Sequence, residues 1–323
     1  MSRYFWGWNK FKNVEIVPGG SFIFNPHGGK TYFVNNITGA SGNDGLSWGT
    51  AFAQIDQALL ASETYRITKA TSNKVIHNQI FVQGTETAYA VVNQDANCVD
   101  IYGMGHRMHL GGAAGDVMVS GAGAAAGMSM TALAAGWDTT AGGAGGGLGV
   151  NIKNIHFEAT GTYYAVDVYD WLLGGFEDCS FMTSGANNYG GFRASEHFAG
   201  SLMRNCHAGG DAGSVRDGFT FTGGVFNQNL IEWNWAQASR YGFYTSDYLQ
   251  GGTVIRNNTF YGTTYGIYDT SAETTVMGRA MYVNNNAVSA GTGFSISNVG
   301  TSICTGNMRN NAGDGGWYTE DTA

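Results

Sequence analysis

Three aspartates, Asp217, Asp247 and Asp269, stand beside a short glycine–aromatic unit that recurs through the second half of the sequence. Carboxylates recurring near one place in a repeat invite an acid–base reading, because cleaving a glycosidic bond takes two carboxyl groups ~5–10 Å apart with one pKa raised. Asp167, Asp170 and Glu196 stand near strand ends in the same way, where solvated turn carboxylates are common. Aromatic residues offer a second chemistry. Tyr244 and Tyr268 follow the unit in adjacent repeats, while Trp233 and Trp235 interrupt an otherwise polar run. Such rings make platforms for sugars and also make protein interfaces. A third group lies at the start, where Tyr4, Phe5, Trp6, Trp8 and Phe11 are interleaved with Arg3, Lys10 and Lys12. An aromatic, basic arm is expected to fold back on its own chain or to anchor on a partner.

Other chemistries find less support. The seven histidines show no HExxH-type spacing; His156 and His207 fall in one column of the repeat but are separated by Ser180. The stretch SGNDG at 41–45 reads as a turn. Cys179 and Cys206 share a column in adjacent repeats and are expected as two packed thiols, and the four cysteines contain no CxxC pair. No metal and no cofactor is expected. Lys plus Arg number 16 against 24 Asp plus Glu, a net charge of −8 without a basic stripe, which argues against nucleic acid as a partner. No run is long enough to span a bilayer, and MSRYFWGWNKFK lacks the apolar core of a signal peptide, so the chain reads as soluble and made in a cytoplasm.

The elements that must hold these residues declare themselves by repetition. Charged residues are only 12% of the chain, against 51 Gly, so small polar residues must cover much of the surface. A six-residue unit reads IKNIHF at 152, FEDCSF at 176, MRNCHA at 203, IEWNWA at 231, IRNNTF at 255, YVNNNA at 282 and ICTGNM at 303. A second unit, GFRA at 191, recurs as GFTF at 218, GFYT at 242, GIYD at 266, GFSI at 293 and GWYT at 316. Two markers advancing nearly in step, 21–28 residues at a time, signal a solenoid. Short alternating segments punctuated by Gly and Asn make each repeat one coil of stacked strands, ~4.8 Å above the last.

Columns then follow. Ile152, Phe176, Met203, Ile231, Ile255, Tyr282 and Ile303 should face inward, as should Phe192, Phe219, Phe243, Ile267, Phe294 and Trp317. Lys153, Glu177, Arg204, Glu232 and Arg256 alternate in sign, which suits outward neighbours in register and explains both glutamates without catalysis. Asn154, Asp178, Asn205, Asn257 and Asn284 form a bend column, interrupted at Trp233.

Upstream, a strand-like YFVN is followed by a Gly/Asn/Asp loop. Next comes a segment that Thr50 can cap as a helix of about residues 50–62, with Phe52, Ile55, Leu59 and Leu60 on one face. IFVQGTETAYAVV at 80–92 and CVDIYGMGHRMHL at 98–110 read as strands with Gly turns. Residues 111–149 hold 13 Gly and 11 Ala and read as an excursion from one rung, with a strand at Val117–Ser120. This order resembles pectate-lyase-like right-handed β-helix proteins, especially those of phage virions, over residues 31–318. The resemblance implies an all-β chain: a single-stranded right-handed parallel β-helix with a short N-terminal capping helix. An aromatic arm at 1–30 would precede it and a tail at 319–323 would follow.

That family hosts lyases, hydrolases, adhesins and structural proteins, and its enzymes usually act on acidic or complex polysaccharides. None of its catalytic signatures is matched residue by residue, so no catalytic residue is carried over. Two functions remain in view. One is a virion structural protein, a head decoration or cement component without catalysis, assembled in the bacterial cytoplasm from copies of itself, as a homotrimer, and other virion proteins. The alternative is a tailspike-like protein that binds or depolymerises host surface polysaccharide. The last rung reaches Trp317 with little chain after it, which suits the first reading better.

Overall fold

The computed structural model describes residues 14–17, 21–24, 29–69, 76–94, 96–105, 116–121, 128–130, 146–160, 163–184, 188–210, 215–246, 251–270, 280–296, 303–311 and 318–319. The chain winds as a parallel β-helix. Its first sheet stacks strands from Thr31–Val34 through Asn78–Gln83 and Ala96–Met104 up to Met281–Val283 and Ile303–Thr305. The second runs from Met118–Gly121 and His156–Thr160 up to Met308–Asn311, where Tyr318–Thr319 pairs antiparallel with the last strand. The third runs from Met128–Met130 and Tyr164–Leu172 up to Thr292–Ile296. Val225–Asn227 and the ends of the two longest third-sheet strands add a short fourth ladder before the chain re-enters the first sheet.

Register bears out the columns. Tyr32, Ile80, Ile101, Ile152, Phe176, Met203, Ile231, Ile255 and Tyr282 pair in sequence, and all are buried. Phe192, Phe219, Phe243, Ile267 and Phe294 pair in sequence in the third sheet, the first four buried and Phe294 partly so. The two columns meet through phenylalanines in edge-on or tilted contact such as Phe176, Phe181 and Phe192, whose centroids lie 5.2–5.7 Å apart. Each fully buried ring contributes ~1.5–3 kcal/mol through burial.

The glycine of the recurrent aromatic unit has a packing cause. A Cβ at Gly218 would stand 2.7 Å from the Ala236 Cβ, and one at Gly242 would stand 2.9 Å from the Phe260 Cβ. The second and third sheets approach closely at that point, and only glycine leaves room.

The bend column is left-handed throughout. Asn154, Asp178, Asn205, Trp233, Asn257 and Asn284 have φ between 51° and 60°, and Gly306 continues the series at 63°. Asparagine and aspartate tolerate this region better than other side chains, and here they also bond between rungs, as Asn205 Nδ2 does to Asp178 Oδ1 at 2.5 Å. The left-handed residue turns the chain so that the residue after it also points inward. Alternation by two therefore fails at the corner, and Ile255 and Asn258 are both buried.

Several expectations need correction. The helix spans Ile55–Lys69, not 50–62, because Gln57 Oε1 accepts the Ala53 and Gln54 amides at 3.1 Å each and so sets the start. Thr50 instead ends a short 3-10 turn. Ile55, Ala58 and Leu59 enter the core while Leu60 is 56% exposed. The helix takes the place of the second and third faces in the first coil. In 111–149, Met118–Gly121 answers the strand expected at Val117–Ser120, and Met128–Met130, which was not expected, pairs in register with the third sheet; most of that segment lies outside the described residues. At the last rung Cys304, not Ile303, continues the inward column, and Ile303 is exposed. Val14–Val17 and Ser21–Phe24 form an antiparallel hairpin within the segment read only as an arm. Trp317 lies outside the described residues.

Candidate functional site

The residues singled out for chemistry fall into three places. On the outward side of the third sheet, one column reads Tyr164, Gly190, Asp217, Tyr241, Tyr265 and Thr292. Its neighbour reads Asp167, Arg193, Thr220, Tyr244, Tyr268 and Ser295. Tyr244 and Tyr268 stack as expected, 5.5 Å apart and 19° from parallel. Tyr265 lies 4.4 Å from Tyr268 at 9°, and Tyr241 stands 4.9–5.8 Å from the other three. Four half-buried phenols form one ridge. Sequence reasoning missed Tyr241 and Tyr265, although the recurrence of YGFY at 241 and YGIY at 265 was a usable signal.

Toward the amino-terminal end of the same face, ion pairs replace rings. Arg193 bonds Asp167 through Nε at 2.8 Å and Nη2 at 2.5 Å and lies over Tyr164 at 4.7 Å. Arg240 bonds Asp217 through Nε at 2.7 Å and through Nη2, and lies 4.2 Å over Tyr241. Asp217 is only 1% exposed, and burial raises its pKa in spite of the Arg240 bonds. Fork-on-carboxylate geometry makes these pairs stronger than ordinary surface contacts.

Asp217 and Asp269 therefore do not come together. Asp217 faces out beneath Arg240, while Asp269 follows Thr245 in an inward column and accepts from the buried Tyr282 hydroxyl at 2.8 Å. They lie on opposite sides of one sheet and are buried, unlike the solvated turn carboxylates the sequence implied. Asp247 lies outside the described residues, as do Tyr4, Phe5, Trp6, Trp8 and Phe11. Glu177 and Glu232 serve the ladder: Lys153–Glu177 at 2.7 Å, Arg204–Glu177 at 3.5 Å, Arg204–Glu232 at 2.6 Å and Arg256–Glu232 at 2.6 Å.

The second place is the corner between the first and second sheets, where Trp233 and Trp235 sit, apart from the tyrosine ridge. Trp233 is 60% exposed with φ 60°. A left-handed conformation costs a bulky residue on the order of 1 kcal/mol more than asparagine or glycine. Trp235 lies 4.2 Å from the His207 ring in the adjacent strand.

The third place is internal. Asn234, Asn258, Asn285 and Asn307 stack inside that corner, each Nδ2 donating to a first-sheet carbonyl one rung back: Met203, Ile231, Ile255 and Tyr282, at 2.8–3.0 Å. Each Oδ1 beyond the first accepts the backbone amide and Nδ2 of the asparagine below, as Asn258 does from Asn234 at 2.8 and 3.0 Å. Cys179 and Cys206 continue this column as free thiols, donating to the Ile152 and Phe176 carbonyls at 3.5 and 3.4 Å. The thiols act as asparagine substitutes.

On the second sheet His156 bonds Ser180 at 2.6 Å, and burial lowers its pKa to about 4. Among the described residues no three His, Cys, Asp or Glu side chains are grouped to hold a metal ion.

The class these features define is a parallel β-helix with an internal amide ladder and one outward aromatic face. No family model matches the chain, and no curated protein or solved structure matches it either.

Proposed function

We propose that this chain is a stiff, non-catalytic attachment protein of a bacteriophage particle, a head decoration or cement component assembled in the host cytoplasm. The fold alone is compatible with many roles, and the phage setting rests on the resemblance of the entry helix and first strands. The observation that carries the structural role is the fate of the charged groups. Asp167, Asp217, Glu177 and Glu232 each bond a cation on a neighbouring rung and so tie coil to coil. A column held by such ties and by an internal amide ladder is a rigid spacer. The aromatic, basic residues 1–12 are its anchor. Deleting them should leave the coil folded, by circular dichroism, and abolish incorporation into purified particles; normal incorporation would overturn the reading.

A second reading, a tailspike-like polysaccharide binder, is favoured by one observation. Trp233 is kept exposed and left-handed where its column otherwise holds Asn, Asp or Gly. An open indole face is what a sugar ring stacks upon. Depolymerase and binding assays on host capsule and lipopolysaccharide discriminate: the structural role predicts no cleavage, and binding lost in Trp233→Ala would support the second reading.

A further inference from the structure

We propose that the tyrosine-bearing face of the third sheet is where two copies of this chain meet, face to face with their coil axes antiparallel. The inference does not rest on the particle role, and it sets a two-fold contact in place of the homotrimer that the resemblance implied. Tyr268 lies nearly parallel to Tyr265 at 4.4 Å and to Tyr244 at 5.5 Å, so neighbours take up its ring faces. Edges and hydroxyls remain for a partner, which makes the ridge poorly suited to stacking a sugar. A phenol hydroxyl both donates and accepts, and is best met by a surface offering carboxylates and guanidiniums together.

The same face supplies that surface at its other end. Arg193 and Asp167 are paired with side chains 36% and 16% exposed, and the exposed Arg216 lies 5.8 Å over Tyr189. From the Asp217 rung, the Tyr241 and Tyr265 rungs are one and two steps one way. The Gly190/Arg193 and Tyr164/Asp167 rungs are one and two steps the other way. A two-fold axis through the Asp217 rung, perpendicular to the coil, sets the tyrosine rungs of each copy against the arginine–aspartate rungs of the other. The contact is self-complementary, as an isologous interface must be. Tyrosine and arginine are also the residue types that interfaces concentrate.

Sedimentation velocity of the full chain from low to high micromolar concentration tests this. The expected result is a monomer–dimer equilibrium, weakened at least ~tenfold by Tyr244→Arg with Tyr268→Arg and by Arg193→Ala. Circular dichroism checks the fold of each variant. Tyr268→Phe keeps the ring and removes a hydroxyl; it should weaken the dimer should the arginine variant fail to fold. Hydrogen exchange should slow on dimerisation at both 189–193 and 241–268. A monomer at every concentration, a trimer, a dimer indifferent to these substitutions, or protection at only one of the two segments would overturn the proposal.

Discussion

The molecule carries two polar ladders of the same pitch, one on each side of the first corner. Outside, Lys153, Glu177, Arg204, Glu232 and Arg256 pair charge to charge along the surface. Inside, Asn234, Asn258, Asn285 and Asn307 pass hydrogen bonds from rung to rung with exposures of 0–5%. Both repeat once per coil, yet they differ in what water can replace. An outward ion pair that is lost is rehydrated, whereas an inward amide that is lost leaves carbonyls and amides with nothing to bond. The inner ladder should therefore govern stability, and the outer one mostly register and solubility.

The largest effect is expected from Asn258→Leu. It strands the Ile231 carbonyl and the Asn234 backbone amide, and removes one of the bonds made by Asn234 Nδ2 and by Asn285 Oδ1. The loss should be about 4 kcal/mol, read as a shift in denaturant midpoint at unchanged slope. A loss no larger than that of an outer-ladder variant would break the comparison.

His156 sharpens it, because this residue belongs to an outward-facing column yet is buried. Its folded pKa of about 4 lies below the ordinary 6.5, so its contribution is complete above pH 6.5. That contribution is lost as pH falls from there through the folded value. Acidification across that window should cost about 3 kcal/mol, and His156→Gln should flatten the profile. An unchanged profile in the variant would show that burial is not what matters.

Glu232 is intermediate, with its side chain 4% exposed and bonded by Arg204 and Arg256. Burial alone would raise its pKa, but the bonds from Arg256 and Arg204 outweigh it and hold the carboxyl below its usual 4.5. Its stabilisation is thus present above pH 4.5 and lost as pH falls through the lowered folded value. Glu232→Gln should cost about 2 kcal/mol at neutral pH, measured by urea unfolding. The smallest effect is expected at Lys153→Met, since Lys153 is 37% exposed: at most about 0.5 kcal/mol, shrinking further in salt.

Much of this was legible because stacking forces counterparts to be alike. The alternating charges predicted an outer ladder, and the Asn and Asp run predicted a bend. The inner ladder was not legible, although Asn257 and Asn258 stand side by side: residue type does not reveal that the residue after a left-handed one turns inward. Cys179 and Cys206 concealed it further, because two thiols do the work of two amides. The one-residue slip at Ile303 has the same cause. The final turn places Gly306 at the left-handed position, where an alignment on apolar residues had no asparagine to follow. In 111–149 the strand Met128–Met130 was not legible, because a segment of 13 Gly and 11 Ala carries little apolar signal. At the candidate site, Tyr244 and Tyr268 could be placed from the repeat, but inward-facing Asp269 could not be told from outward-facing Asp217, since alternation by two would set Asp217 on the side of Phe219 and Tyr265 on the side of Ile267.

The central claim, that counterpart residues stack at one rung per coil, is tested most directly by spin-label distances along the outer column. Tyr102, Arg256 and Thr305 lie five and then two further steps apart in this register. Labels at Tyr102 and Arg256 should therefore be separated by ~24 Å, and labels at Tyr102 and Thr305 by ~34 Å, at ~4.8 Å per rung. Distances that do not grow with rung number would contradict the account.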